Sequence, residues 1–221
     1  MNMGPLRYLL FDLDDTLYTG ASGLFAEVGR RIEVWTAQAL DIPLAEAQTL
    51  RQRYFHEYGT TMAGLLRHHP EVDIDDYLEY VHEIRVERYL APNPALGAML
   101  GRLPARKAVF TNAIASWAER ILECLAVREH FTAIVDVRAV DYLGKPKPEA
   151  YARALALLDV PGTACVLLDD QARNLQVGAD LGMRTVLVRV GQEPGAGVDF
   201  AVDTILDAEP VLQRLLEKNT P

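Results

Sequence analysis

RYLLFDLDDTLYTG, residues 7–20, sets an apolar run, Tyr8-Leu9-Leu10-Phe11, directly against three carboxylates, Asp12, Asp14 and Asp15. A nearly continuous apolar run of this length reads as a strand buried on both faces of a parallel sheet. Burying an ionised carboxylate without a partner is costly, so either the acids lie outside the core or something cationic is held among them.

Further apolar runs rich in Val, Ile, Leu and Phe recur at KAVFTN (107–112), TAIVDV (132–137), ACVLLDD (164–170) and RTVLVRV (184–190). Helical patterns separate the later ones: SWAERILECLAV, PEAYARALALL and NLQVGADLG, with EPVLQRLLEK near the end. Strand and helix in alternation imply right-handed crossovers and an α/β fold, a doubly wound, Rossmann-like parallel sheet. One interval breaks the rhythm, because about ninety residues separate the first strand from the second where a simple crossover needs a dozen or so. The segments GLFAEVGRRIEVWTAQAL, PLAEAQTLRQRYFHEY and DIDDYLEYVHEIRVERYL in that interval read as helices. Asn93-Pro94 then reads as an N-cap followed by Pro at the first helical position. The expected organisation is a core of residues 1–17 and 96–221, with a helical cap domain inserted over 18–95.

Ligands of open parallel sheets bind beyond the carboxyl ends of the strands. There the first strand delivers Asp12, Asp14 and Thr16, the second Thr111 and Asn112, the loop GKPKPEAY Lys145, and the fourth Asp169 and Asp170. Acids, one lysine, and hydroxyl and amide donors converging from separate segments fit a divalent cation together with a phosphoryl group. Any one of these short motifs also reads as an ordinary loop, N-cap or rigid turn. Their ordered recurrence at successive strand ends is what carries the argument.

Those four motifs, DLDDT (12–16), Thr111-Asn112, Lys145 in GKPKP and Asp169-Asp170, resemble the haloacid dehalogenase (HAD) superfamily, in the family's order and across Tyr8 to about Val190. Asp14, which the dehalogenase branch lacks, points the resemblance toward phosphoryl transfer. The resemblance implies that Asp12 is the nucleophile that forms an aspartyl phosphate, Asp14 the general acid and base, and Lys145 the balancing cation. It implies Thr16, Thr111 and Asn112 as phosphate ligands, and Mg²⁺ held by Asp12, the Asp14 carbonyl and Asp170, with Asp169 assisting directly or through water. Hard oxygen donors without His or Cys nearby favour Mg²⁺ over zinc. Lys147 reads as a solvated charge, and Gln171 departs from the Ser often found there.

Within the insert, YGTTMAGLLRHHP (58–70) reads on its own as a helix–helix connection, yet it resembles the cap of HAD-type pyrimidine 5'-nucleotidases, as do YVHEI, VFTNA and LLDDQARN. That likeness implies a nucleoside monophosphate as the small-molecule phosphomonoester substrate, with Tyr58, Gly59, Thr60 and Thr61 as its cap contacts. The alternatives on the same core are a sugar-phosphate or phosphoglycolate phosphatase, or a phosphomutase. A receiver-like signalling domain shares the acid pair, Thr and Lys, but it carries the phosphoacceptor on a later strand.

The formal charge of -9 and pI near 5.0 argue against nucleic-acid and anionic-membrane partners. Cys124 and Cys165 sit in apolar settings and read as free thiols of a reducing compartment. MNMGPLRYLL has no long apolar stretch, so the cytoplasm is the expected location and a monomer or homodimer the expected state. His68 and His69 read as an exposed helix end, and His82 and His130 as surface or cap-packing residues.

Overall fold

The computed structural model describes residues 5–217, so Lys218 of the expected last helix and the first four residues of the expected core lie outside it. Six parallel strands, β1 (Tyr8–Phe11), β2 (Arg106–Phe110), β3 (Ala133–Val135), β4 (Cys165–Asp169), β5 (Arg184–Val188) and β6 (Phe200–Val202), form one sheet in the order β3-β2-β1-β4-β5-β6. The strand order reverses between β1 and β4, which pair in parallel from Tyr8↔Cys165 to Phe11↔Leu168. That is the topological switch point at which open α/β sheets bind ligands.

The period of two along each strand divides the core between the two faces. Leu9, Phe11, Val109, Val166, Leu168 and Val186 pack on one side, and Tyr8, Leu10, Ala108, Phe110, Cys165 and Leu167 on the other. The second face is covered by α7 (Pro148–Leu157) and α8 (Ala172–Asp180), through Ala150, Tyr151, Ala154 and Leu175. The first is covered by α5 (Pro94–Arg102), α6 (Ala115–Cys124) and α9 (Glu209–Glu217), through Leu96, Trp117, Ile121 and Leu212.

After Asp12 the chain leaves the sheet and returns only at Arg106. Between them run α1 (Leu24–Ala39), α2 (Leu44–Tyr58), α3 (Thr61–His68) and α4 (Ile74–His82). Their apolar faces join the first core, Val28, Trp35, Tyr54, Met62 and Tyr77 forming one cluster with Phe11 and Trp117. The Asn93 side chain accepts from Leu96 N at 3.1 Å and Pro94 opens α5, as the sequence predicts.

Two local expectations are corrected. YGTTMAGLLRHHP is itself mostly a helix, capped by the Thr60 hydroxyl accepting from Ala63 N. The run DIDDYLEYVHEIRVERYL stops being α-helical at His82, where the Arg120 guanidinium donates to the carbonyls of His82 and Ile84. His68 and His69 do stand at a helix end, as expected, His68 exposed, and their Nε2 atoms meet the hydroxyls of Tyr58 and Tyr54 at 2.7 and 3.0 Å. The edge strand β6 has no counterpart in the sequence reading, because three half-buried residues after a Gly/Pro-rich loop give no long apolar run.

Candidate active site

The strand ends do converge. Lys145 is 2% exposed and its Nζ lies 2.7 Å from Asp12 Oδ1 and 2.7 Å from Asp169 Oδ2. The cation demanded by the acids of β1 is therefore in part a lysine from another loop. Burial alone would lower the Lys145 pKa, but Asp12 and Asp169 outweigh it and hold the ammonium charged. Asp12 feels the converse balance: burial raises its pKa well above the usual value, Lys145 opposes this, and Asp169 and Asp170 reinforce it.

Asp14 has a different environment from Asp12, two residues away. Its Oδ1 accepts from Tyr18 OH at 2.5 Å and Trp117 Nε1 at 3.2 Å, which leaves Oδ2 without a protein partner among the described residues. Burial raises its pKa too, and the two donors only partly offset that. Neither Tyr18 nor Trp117 figured in the sequence reading. Tyr18 could have been found from its i+4 spacing to Asp14, whereas Trp117 lies more than a hundred positions along the chain with no local signal.

Of the expected phosphate ligands, Thr16 donates to Asp12 Oδ2 at 3.3 Å. The Thr111 hydroxyl accepts from Ala113 N at 3.0 Å and shapes the loop after β2. Asn112 is committed elsewhere: its Oδ1 accepts from Lys145 N at 2.6 Å and its Nδ2 donates to Lys145 O at 3.0 Å. This pair of bonds clamps the backbone of the lysine, so its side-chain amide fixes where Nζ points. Lys147, by contrast, makes no ion pair in the cluster and sits just ahead of α7.

The two adjacent acids of β4 also divide their work. Asp169 is fully buried, and its Oδ1 accepts from Gln171 N and Asn174 Nδ2 at 2.9 and 2.8 Å while Oδ2 holds Lys145. Asp170 is more open and its side chain is bonded by Gln171 Nε2; burial and then Asp169 push its pKa up to about 6. Ligand oxygens of Asp12, Asp169 and Asp170 lie within 4.8 Å of one another. Three clustered hard oxygen donors fit a divalent cation such as Mg²⁺, since a dication would offset the burial, and the repulsion added to it, that raise the Asp12 and Asp170 pKa values.

A cavity of about 280 Å³ joins this cluster to the inserted helices. Asp12, Asp14, Lys145 and Asp170 form its floor, and Val28, Ile32, Phe55, Met62, Leu78 and Val81 much of its walls. Gly59, Thr60 and Thr61 line it as expected, whereas Tyr58 does not, its hydroxyl being turned to His68. Gly59, at φ +89°, has no room for a side chain: a Cβ there would lie 2.4 Å from Pro146 Cδ and 3.1 Å from Lys145 O. From the core side Arg173 donates to Phe55 O and Gly59 O and stacks 4.1 Å over the Phe55 ring. His82, 6% exposed, also lines the cavity and packs 5.2 Å from Trp117. Neither Arg173 nor His82 was singled out as a site residue, because each looks like an ordinary helix residue until the two layers meet.

A family profile describing haloacid dehalogenase-like hydrolases matches residues 6–182. The chain belongs to that family. Among curated relatives, phosphate metabolism protein 8 of Saccharomyces cerevisiae is 23% identical over 82% of this chain, which spans 61% of that protein's length. N-acetylmuramic acid 6-phosphate phosphatase of Pseudomonas aeruginosa is 27% identical, covering 96% of each chain. The crystal structure of CbbY from Rhodobacter sphaeroides in complex with phosphate superposes with a TM-score of 0.64 at 25% identity, covering 92% of this chain and 96% of that one.

Proposed function

We propose that this HAD protein is a Mg²⁺-dependent phosphomonoester hydrolase, with the helices of residues 18–95 serving as its substrate cap. The observation that carries the reading is the contrast between two neighbouring carboxyls on one cavity floor. Burial raises the proton affinity of both, but Asp12 is ion-paired to Lys145, whose charge favours its anionic form, while Asp14 makes no ion pair and keeps Oδ2 free to carry a proton. Asp12 attacks phosphorus and the bond to the leaving oxygen breaks, Asp14 Oδ2 delivering its proton to that oxygen. Asp14 then takes a proton from water as the water attacks the aspartyl phosphate, which regenerates Asp12 and releases phosphate. Lys145 offsets charge on Asp12 and the transferring group throughout, held in place by Asn112 and Asp169. Mg²⁺ would be held by Asp12 and Asp170 and, when bound, would supply charge neutralisation and orientation of the phosphoryl group.

For the leaving group, the apolar walls with the Thr60 and Thr61 hydroxyls suit a small flat base with polar edges, which supports a pyrimidine nucleoside 5'-monophosphate. A second reading, a sugar phosphate, draws on the Pseudomonas relative, whose name specifies a sugar phosphate and whose length this chain spans almost fully. The test is phosphate release, with and without Mg²⁺, from UMP, CMP, AMP, phosphoglycolate and glucose 6-phosphate. Magnesium-dependent release from UMP or CMP with the highest kcat/KM supports the nucleotidase. A faster sugar phosphate moves the assignment to the second reading, and no release from any of them refutes the hydrolase.

A further inference from the structure

Resting on that hydrolase reading, we propose that His82 is a specificity-determining residue whose Nε2 accepts a hydrogen bond from an N–H or O–H group of the leaving group. His82 Nδ1 lies 2.7 Å from Leu78 O. A carbonyl oxygen can only accept, so Nδ1 carries the proton, and in the neutral ring Nε2 is then a lone-pair acceptor. No described group bonds Nε2, although His82 lines the cavity that holds Asp12 and Asp14.

Several other polar groups of the upper cavity are already engaged. Arg51 Nε donates to Glu33 at 2.8 Å, and the Arg173 guanidinium holds Phe55 O and Gly59 O. The Thr60 hydroxyl accepts from Ala63 N, so its remaining capacity is chiefly that of a donor. His82 thus supplies a nitrogen lone pair to a mostly apolar wall that otherwise offers the Thr60 and Thr61 hydroxyls. The ring cannot swing away to satisfy itself, being packed against Trp117 and tied to its own helix. Because burial holds it neutral, with its pKa lowered to about 4, it offers a lone pair and not a positive charge. The ligand chemistry it selects is therefore a neutral donor, such as a base imide or amine or a sugar hydroxyl, over an anionic tail. Trp117 donates to Asp14 Oδ1 on its other side, so a leaving group seated on His82 is brought beside the carboxyl that protonates it.

The test compares wild type, His82→Asn and His82→Gln on UMP, glucose 6-phosphate and p-nitrophenyl phosphate, the last having no donor in its leaving group. Asn is too short to present an acceptor where Nε2 lies, whereas the Gln carboxamide can. His82→Asn is expected to lower kcat/KM about tenfold for the faster of the two donor-bearing esters, in line with loss of one hydrogen bond. The p-nitrophenyl ester should change less than twofold, and His82→Gln should recover most of the loss. An equal loss on p-nitrophenyl phosphate makes His82 a packing residue and overturns the inference, as does no loss on either donor-bearing ester. If wild type cleaves none of the three in Mg²⁺, the hydrolase reading itself fails and the inference fails with it.

Discussion

Acidification should cost this protein stability through His82, by an amount set by its burial. Desolvation lowers the imidazole pKa to about 4; the bond to Leu78 O opposes the shift, and the Arg120 and Arg138 charges reinforce it. In the unfolded chain the same group titrates near ~6.5. Between those values the unfolded state binds more proton than the folded one, so stability falls as pH falls through the window and changes no further below it. At pH ~5 the linkage amounts to about 2 kcal/mol, approaching about 3 kcal/mol at the acid end. Asp15 and Asp170, each with a pKa raised to about 6, act with the opposite sign, because the folded state takes up their protons first. Wild type alone would show the sum, so the informative quantity is its difference from His82→Asn. Urea unfolding in a chelator at pH ~7.5 and ~5 should show that difference moving by about 2 kcal/mol in favour of the variant. A difference that stays constant to within about 0.5 kcal/mol would show that the folded imidazole titrates as it does in water, refuting the reasoning.

Lys145→Met should destabilise the metal-free protein by about 3–5 kcal/mol, since it strands the fully buried Asp169 opposite Asp12, and should abolish turnover; thermal unfolding and phosphate release check it. Lys147→Ala should leave both within error, and equal losses from the two substitutions would mean that the wrong lysine is assigned. Gly59→Ala combines a left-handed backbone with a Cβ 2.4 Å from Pro146 Cδ, so a loss of about 2–5 kcal/mol is expected in chemical denaturation. Chelation should remove activity and Mg²⁺ restore it, and Mg²⁺ should raise the melting temperature of the inactive Asp12→Asn variant less than that of wild type.

The apolar runs and the acids at their ends were legible from the residues, because burial on both faces of a parallel strand leaves a local signature that needs no partner to recognise. The same holds for the Asn93-Pro94 helix start, which is written in adjacent side chains. The positions of Asp12, Asp14, Lys145, Asp169 and Asp170 could be read from chain order, since parallel strands deliver their carboxyl ends to one edge. Most contacts of those side chains could not. Asn112 clamps the backbone of Lys145 and spends its amide there, Asp169 is consumed by Lys145 and Asn174, and Trp117 and Tyr18 share one oxygen of Asp14. His82 reads as a surface or cap-packing residue until α4 closes over Trp117, and Gly59 as a flexible joint until the Lys145 loop meets it. Sequence periodicity records that a side chain is buried, and short spacing records what it can reach within a turn. Partners far apart in the chain are chosen by packing, which fixes both which polar atom is left without a partner and which carboxyl keeps its proton.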